Sequence, residues 1–350
     1  MHKQYLAIFL LAAANGLLFS LLHLPLPWTL GPLVMAILWK TVLKKPVFWP
    51  KKIRNMGMVV LGYMMGSPFT PSVASQVLQQ LPIMLTMTLT LITICLVTGY
   101  ISGRYTGVGL SNSLIGSIPG GLSQMSVICE EIKGTNISVV TLMQTVRVIT
   151  VVFMVPLLAL HGLADHATPA ARVVKPLEMH QLQLLVLIAI ILIVLIKIAK
   201  RIHLSNIYIL IPVLGTAALV LTGLDAPALP APVISLAQIV VGIKMGSDVD
   251  FGSLGNWKTI ALVNLLTVLS VIFFILGAAY TFSHIFPMSF VTAFISMAPG
   301  GMSEMALTAM SANADLPTVV AYQLFRLLFI LLVCVPVTRW LIHRQQLKHA

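Results

Sequence analysis

The sequence predicts an all-α polytopic membrane protein with two inverted repeats, each containing five transmembrane helices and one re-entrant helical hairpin. Three observations predict this fold class: an extreme apolar composition, an internal duplication and a one-sided distribution of basic residues. Of the 350 residues, 58% are hydrophobic and 9% are charged, and the mean hydropathy is +1.00. Soluble domains carry roughly 25% charged residues, so the composition excludes a soluble enzyme, a secreted protein and a disordered chain.

The duplication is visible in two motifs. Pro-Gly-Gly-Leu-Ser-Gln-Met at 119–125 returns as Pro-Gly-Gly-Met-Ser-Glu-Met at 299–305, an offset of 180 residues. Gly-x-x-Met-Gly-Ser at 62–67 returns at the same offset, and we expect its glycines to form close-packing helix faces. A Gln-x-x-Arg motif at 144–147 returns as Gln-x-x-Arg at 323–326.

Each half contains six apolar segments. In the first half they lie near 5–22, 27–43, 53–69, 77–103, 108–133 and 136–160, and in the second near 181–200, 206–224, 232–247, 259–284, 288–313 and 317–338. Most approach the roughly 20 residues that span a bilayer. The first follows a lysine, as in a signal peptide, but it leads directly into another apolar segment, and we expect it to be retained.

The fifth segment of each half has Pro-Gly-Gly at its middle, which leaves two arms of about twelve residues, each too short to span. It either crosses as a broken helix or enters and returns as a re-entrant hairpin. With re-entrant fifth segments, 17 of the 21 Lys and Arg residues lie on the cytoplasmic side and two lie outside. With crossing segments the counts become 13 and six. The positive-inside rule favours re-entrant hairpins, which make each half cross five times and invert the halves.

This topology defines the predicted domain organisation. The first membrane repeat covers 1–162, a periplasmic connector 163–180, the second, inverted repeat 181–342 and a cytoplasmic tail 343–350. We expect both termini in the cytoplasm and the protein in the bacterial inner (plasma) membrane.

The hairpin tips are the predicted functional site. Two tips entering from opposite sides would meet near the bilayer midplane, where non-helical backbone survives only if protein buries it or a polar cavity hydrates it. The free N–H groups that begin each second arm could hold an anionic group there, as in broken-helix transporters. The alternative is that Gly and Ser only allow close helix packing.

The predicted substrate-binding residues belong to the two tips and the two Gln-x-x-Arg motifs. They are Ser117, Pro119, Gly120, Gly121, Ser123, Gln124, Gln144 and Arg147 in the first half, and Ser296, Pro299, Gly300, Gly301, Ser303, Glu304, Gln323 and Arg326 in the second.

The charged members of this set allow two interpretations. Arg147 and Arg326 lie deep in apolar segments, at a cost of at least about 2.5 kcal/mol each. Each could clamp hairpin carbonyls or pair with Glu304, or could be the counter-charge for an anionic substrate, and one arginine could do both. Glu304 replaces Gln124 of the first half and is the predicted protonation or cation-coupling residue. A permanent pair between Glu304 and Arg326 is the alternative.

No metal, cofactor or catalytic chemistry is predicted. Cys95, Cys129 and Cys334 lie in apolar stretches and are interpreted as buried hydrophobes. The sequence has no P-loop, dinucleotide or G-x-S-x-G motif, and no soluble stretch long enough for a DNA-docking element. We therefore expect a non-enzyme whose partners are the lipid bilayer and a small anionic solute, not nucleic acid. The assembly state is open, with a homodimer as one option.

The duplicated Pro-Gly-Gly-[Leu/Met]-Ser-x-Met motif followed by Gln-x-x-Arg resembles the bacterial membrane AbrB family over nearly the whole chain. This family is distinct from the soluble DNA-binding regulator of the same name. The resemblance implies roles in regulation of gene expression or ammonia oxidation, but the residues offer neither a copper ligand set nor a DNA-reading element. We expect a secondary, elevator-like transporter of a small anionic solute. The alternative is a membrane sensor that influences gene expression indirectly, without transport.

Overall fold

A computed structural model describes residues 2–45, 47–120, 125, 129, 135–162, 179–202, 206–249, 257–334 and 336. The helices are α1 (His2–Leu21), α2 (Pro27–Thr41), α3 (Lys51–Gly66), α4 (Pro71–Gln79), α5 (Leu81–Thr106), α6 (Leu110–Ser117), α7 (Ile137–Leu157), α8 (Met179–Ala199), α9 (Ile207–Leu221), α10 (Ala231–Asp248), α11 (Trp257–Ile285), α12 (Phe290–Met297), α13 (Met302–Ser311) and α14 (Leu316–Phe329). Short π-helical turns follow α7 at Leu158–Gly162 and α14 at Ile330–Cys334.

Six of the described helices are long and apolar enough to cross a membrane. They are Gln4–Leu21, Leu81–Thr106, Ile137–Leu160, Met179–Ala199, Trp257–Ile285 and Leu316–Cys334. α9 is equally apolar but shorter. The predicted all-helical membrane fold is confirmed at this level.

The lipid-facing surface is clearest on α8. Its buried residues form one stripe, namely Ile188, Leu192, Ile196 and Ala199, at helical spacing. The other faces expose large apolar side chains, such as Val186 and Ile190. A helix that is apolar all round but packs along one stripe is suited to a hydrocarbon solvent.

The chain divides into two compact units. The first unit comprises Met1–Leu78, Leu160–Val249 and Ala306–Pro317, and the second, which we call the hairpin unit, comprises Gln79–Ala159, Asp250–Met305 and Thr318–Ala350. Each unit therefore combines helices from both halves of the duplication. The sequence halves are not the compact units, and the repeat boundaries given above stay a prediction.

In the first unit, the two copies of the repeat make reciprocal contacts: α2 packs on α10, and α9 packs on α3. A Cβ atom added to Gly62 would lie 2.8 Å from the Pro212 Cβ, and one added to Gly242 would lie 3.2 Å from the Pro32 Cβ. These are equivalent residues at the 180-residue offset, and reciprocal contacts of this kind are typical of a two-fold relation. The close-packing role expected for the two glycines is confirmed.

The hairpin unit contains the two helix breaks. α6 ends at Ser117 because Ile118, the residue before Pro119, is extended, with φ −62° and ψ 130°. α12 ends at Met297 for the same reason, since Ala298 before Pro299 has φ −59° and ψ 130°. The breaks therefore occur where the duplicated Pro-Gly-Gly motif predicts them.

Candidate functional site

The end of α6 is held by two buried side chains of α7. Gln144 Nε2 donates hydrogen bonds to the carbonyl oxygens of Gly116 and Ile118, each at 3.0 Å. Arg147 Nη1 donates to the Ile118 oxygen at 2.7 Å, and Nη2 donates to the Gly120 oxygen at 3.2 Å. The final carbonyls of a helix lack intrahelical donors, so this pair satisfies them and places a cation at the negative end of the helix dipole. We call it the first clamp.

The second clamp repeats this geometry on α14. Gln323 Nε2 donates to the carbonyl oxygens of Ile295 at 3.0 Å and Ala298 at 3.3 Å. Arg326 Nη1 donates to the Ala298 oxygen at 2.6 Å, and Nη2 donates to the Gly300 oxygen at 3.0 Å. Each glutamine also makes a longer bond of 3.4 Å, from Gln144 to the Ile115 oxygen and from Gln323 to the Ser296 oxygen. With these bonds included, all acceptors are equivalent residues in the two halves, and the duplication extends to the hydrogen bonds themselves.

Burial explains why both clamps require carbonyl partners. Arg147 is 7% exposed and Arg326 is 6% exposed. A buried guanidinium is costly unless it is hydrogen-bonded. Of the two structural partners expected for these arginines, the hairpin carbonyls are the ones observed. An ion pair with Glu304 is not among the contacts of Arg326 in the part of the chain that the structure describes.

Glu304 lies in the first turn of α13 and is 3% exposed. Ser303 Oγ donates to its Oε1 at 2.8 Å. A Cβ atom added to Gly301 would overlap the end of the Glu304 side chain. The carboxylate is therefore folded back over the residue that precedes the helix, as in the second half of a capping box, where it complements the helix dipole. A larger residue at 301 would displace the carboxylate from this position.

The equivalent residues of the first half are only partly described. Gly121, Ser123 and Gln124 lie outside the described residues. Ser117 is described, and its Oγ donates to the Ser113 oxygen at 2.7 Å. Ser296 is 4% exposed, and its Oγ has no hydrogen-bond partner.

A cavity in the hairpin unit brings part of the predicted site together. Its interior volume is about 10 Å³, which is room for about one water molecule. The residues around it are Cys95, Thr98, Gly116, Ser117, Arg147, Asn264, Thr267, Val268, Val271 and Pro299. Three predicted site residues, Ser117, Arg147 and Pro299, line this cavity, whereas Glu304, Gln323 and Arg326 do not.

Sequence reasoning missed the other seven lining residues, of which the hydrogen-bonding ones are Cys95 and Thr98 of α5 and Asn264 and Thr267 of α11. Asn264 carried the clearest signal, because an uncharged amide in a long apolar segment needs a partner. Its Nδ2 donates to the Met143 oxygen at 2.7 Å, which joins α11 of the second half to α7 of the first.

The two clamps differ in their unsatisfied atoms. In the second, Arg326 Nη2 also donates to Gln323 Oε1 at 2.5 Å. In the first, Gln144 Oε1 and Arg147 Nε are buried without a hydrogen-bond partner. Buried polar atoms are normally satisfied, so an unpaired donor on a cavity-lining arginine is suited to receiving an acceptor from a ligand.

The long apolar helices, the duplicated framework and the two clamped helix breaks define a polytopic helical membrane protein. A family model described as "Transition state regulatory protein AbrB" matches residues 28–342. The chain belongs to that family, which confirms the resemblance carried by the duplicated motifs.

Two relatives illustrate the breadth of the family. The chain is 25% identical over 353 residues to "Uncharacterized protein YhjN" of Bacillus subtilis (strain 168), covering 95% of this chain and 92% of that protein. It is 25% identical over 323 residues to "Putative regulator AbrB" of Escherichia coli (strain K12), covering 92% of each.

Proposed function

We propose that this membrane protein is a secondary transporter of a small anionic solute, which binds in the cavity of the hairpin unit. The observation that carries the proposal is that residues of both hairpin ends and a buried arginine line one cavity. A transporter site at the junction of two broken helices has this composition. The buried Nε of Arg147, which has no hydrogen-bond partner, also supports a functional role beside the structural one.

The register of the first clamp supports a re-entrant hairpin. Asn136 N, at the start of α7, donates to Asn112 Oδ1 at 2.7 Å, so α6 and α7 begin side by side. Gly120 bonds Arg147, about three turns further along α7. Gly120 and the start of α7 at Asn136 are therefore separated by about three turns of α7, which is the distance that a returning hairpin arm would cover.

The second clamp gives the same argument. α14 begins at Leu316, and Arg326 bonds Gly300 about 15 Å further along the helix axis. Between Gly300 and Leu316 the chain must return over that distance, with α13 (Met302–Ser311) as the returning arm. We propose that both hairpins are re-entrant.

We further propose that the halves are inverted, with both termini in the cytoplasm and the protein in the bacterial inner membrane. The asymmetry of the Lys and Arg residues supports this orientation, and the reciprocal packing of α2 on α10 and of α9 on α3 is compatible with it. Five crossings per half require α2, α3, α9 and α10 to span as well. Labelling of single cysteines introduced at Lys45 and Ala226 from either side of the membrane tests this topology, because the proposal places them on opposite sides.

In the proposed mechanism, the hairpin unit carries the solute and moves as a body, as in elevator-like transport. Glu304 is the proposed coupling residue, since it is a buried carboxylate at the start of a hairpin arm and its counterpart in the first half is the neutral Gln124. Protonation would remove its charge and weaken its contact with the helix N-terminus.

Flux into proteoliposomes tests the proposal. Labelled acetate, lactate, succinate and phosphate are offered under proton and sodium gradients, and at least one is expected to accumulate. Arg147→Ala, which removes the cation of the cavity, and Glu304→Gln, which removes the proposed coupling charge, are each expected to lower the flux at least tenfold. Thr93→Val is the control, because Thr93 is exposed on α5 and bonds only within its own helix. Unchanged flux in both site variants would refute the site assignment.

A second candidate is a membrane sensor that binds the solute without moving it and influences gene expression indirectly. The printed name of the Escherichia coli relative, "Putative regulator AbrB", favours it. Binding of an anion without flux under any ion gradient would support the sensor. We also propose that the protein is not an enzyme, and stoichiometric copper or iron in purified protein would contradict this.

A further inference from the structure

We infer that the connection between α2 and α3 is a binding surface for the headgroups of anionic phospholipids. The surface consists of exposed lysines and the exposed apolar side chains beside them, and we call it the basic rim. Its members are Leu43, Lys44, Lys45, Phe48, Lys51 and Lys52. All of them belong to the first unit. The inference goes beyond the proposed function, since it concerns another part of the molecule and does not depend on transport.

The four lysines of the basic rim are available to an external anion. They fall within nine consecutive residues, 44–52, and all four are exposed. None of them makes a hydrogen bond or an ion pair within the part of the chain that the structure describes. The first 129 residues of the sequence contain no Asp or Glu. Asp248, an acidic residue elsewhere in the same unit, pairs with Lys244. The positive charge of the rim is therefore not balanced by its own stretch of chain.

The backbone of the basic rim is held in place by α10. Trp49 is buried, and its Nε1 donates to the Val240 oxygen at 3.0 Å. At the end of α2, Lys40 Nζ donates to the Val249 oxygen, just after α10, at 2.6 Å. The lysines between these two attachments are therefore presented from a fixed segment, which lowers the entropy cost of holding a ligand.

Two of the lysines stand where a cation is unfavourable without a partner. Lys51 and Lys52 begin α3, whose first turn contains no acidic residue and whose N-cap, Pro50, offers no side-chain hydrogen bond. Cations at this end oppose the helix dipole. A bound anion would relieve the repulsion between these lysines and the helix.

The apolar members of the basic rim favour a lipid over a soluble anion. Leu43 and Phe48 are 51% and 58% exposed, and they stand directly before Lys44 and between Lys45 and Lys51. A nucleic acid or a free phosphate would leave these side chains in water. A phospholipid offers hydrocarbon directly beneath its phosphate, so it can contact the apolar side chains and the ammonium groups together.

The charge of the basic rim selects among phospholipids. A zwitterionic headgroup carries an ammonium group that the lysines repel, whereas an anionic headgroup carries only the phosphate charge. Each lysine near an anionic membrane surface strengthens binding by about fivefold. Four lysines in one short segment therefore favour an anionic phospholipid strongly.

The duplication shows that the fold does not require lysines at this turn. The connection between α9 and α10, at 222–230, is equivalent to residues 42–50 at the 180-residue offset, and it contains no Lys or Arg. Leu224 takes the place of Lys44, and Asp225 takes that of Lys45. The two copies nevertheless pack reciprocally, as α2 on α10 and α9 on α3. The lysines of the basic rim are thus free to serve a role outside the packing of the repeat.

Competition between two lipids tests the inference. The full chain, purified in a non-ionic detergent, is mixed with equal amounts of phosphatidylglycerol and phosphatidylcholine with the same acyl chains, and the bound lipids are counted by native mass spectrometry. The protein is expected to retain at least ten times more phosphatidylglycerol. Raising the salt concentration from about 0.05 M to about 0.5 M should lower this preference at least threefold, because salt screens exposed charges. A preference below twofold at the lower salt concentration would overturn the inference.

Paired variants assign the preference to the basic rim. Lys44→Gln with Lys45→Gln, and Lys51→Gln with Lys52→Gln, are each expected to lower the preference for phosphatidylglycerol at least threefold. The four substitutions together should lower it to less than twofold. An unchanged preference in the fourfold variant would overturn the assignment.

The matched control removes two exposed charges elsewhere. Arg104→Gln with Lys258→Gln lies outside the first unit and changes the net charge by the same amount as one rim pair. This variant is expected to keep the preference within twofold of the natural chain. If the control lost as much of the preference as either rim pair, net charge alone would explain the binding and the inference would be wrong.

A soluble headgroup and an apolar variant separate a lipid from a free anion. Glycerol 3-phosphate, which has the phosphate without acyl chains, is expected to displace less than a tenth of the bound phosphatidylglycerol at equal concentration. Leu43→Ser with Phe48→Ser keeps the charge and is expected to weaken the affinity for phosphatidylglycerol at least threefold. Full displacement by glycerol 3-phosphate, or an unchanged affinity in this variant, would show a site for soluble anions and overturn the assignment to lipid. Because lipid binding is measured without a solute, none of these outcomes depends on whether the protein transports one.

Discussion

The two clamps have the same sequence pattern and make nearly the same hydrogen bonds to backbone carbonyls. They differ in which of their side-chain atoms have no hydrogen-bond partner. The second is closed, because Arg326 donates to Gln323 as well as to the hairpin. The first keeps unpaired atoms on Gln144 and Arg147, and Arg147 lines the cavity. A duplication thus supplies two clamps with equivalent backbone hydrogen bonds, and the residues around each clamp decide which of its polar atoms stay unpaired.

The sharpest test of this comparison removes each arginine. Arg147→Ala and Arg326→Ala should each lower the free energy of unfolding by about 2–4 kcal/mol, because a buried carbonyl loses its donor. The melting temperature of the purified proteins and the solute flux are measured together. Only Arg147→Ala is expected to lower the flux more than tenfold.

The comparison would fail if Arg326→Ala lowered the flux as much as Arg147→Ala did. Arg326→Lys, which restores a cation to the second clamp, separates loss of charge from loss of the guanidinium geometry.

The first unit allows a test of whether the two copies of the repeat pack equivalently. Gly62→Ala and Gly242→Ala should each cost about 1–3 kcal/mol, because the added methyl group overlaps the opposing helix. Reciprocal packing predicts losses of similar size in thermal melts. If one substitution left the melting temperature unchanged and the other lowered it strongly, the two copies of the repeat would not pack equivalently.

The fold-back of Glu304 can be tested by a double-mutant cycle. Gly301→Ala should cost about 1 kcal/mol in the natural background, because its methyl group displaces the Glu304 carboxylate from the helix N-terminus. In a Glu304→Ala background the same change should cost less than half as much, since the colliding group is gone. Additive losses would show that Glu304 does not fold over Gly301.

Replacing the glutamine of each clamp should also separate the two clamps, but the difference in the free energy of unfolding should be smaller than for the arginines. Gln323→Ala should lower stability by about 1 kcal/mol more than Gln144→Ala, because it also removes the acceptor for Arg326. Thermal melts of the two variants measure the difference. Equal losses of stability would show that the bond between Arg326 and Gln323 does not make the two clamps different.

The smallest effect is expected for the ion pair of Lys244 with Asp248, whose side chains are 17% and 52% exposed. Asp248→Asn should change the free energy of unfolding by less than about 0.5 kcal/mol, because solvent screens the attraction between exposed charges. This variant sets the baseline for charge removal outside the clamps. If Asp248→Asn lowered the free energy of unfolding as much as the arginine variants do, burial would not explain the large effect expected for the arginines.

Much of the site was predictable because its signals are local. Pro119 and Pro299 restrict the residue before them, so the ends of α6 and α12 follow from the sequence. The arginines in apolar segments required partners, and hairpin carbonyls were among those expected. The capping position of Glu304 was not predicted, although its place three residues after the glycine that precedes α13 carries that signal.

The sequence by itself determined that this is a duplicated helical membrane protein with paired helix breaks, because composition, repeat spacing and proline geometry act over short stretches of chain. Only the tertiary structure decided that each compact unit mixes both halves and that Arg147, rather than Arg326, lines the cavity with Thr98 and Asn264. Those arrangements depend on contacts between helices far apart in sequence. The two Gln-x-x-Arg motifs are identical in sequence, so their different surroundings arise only from the helices that pack around them in the folded protein.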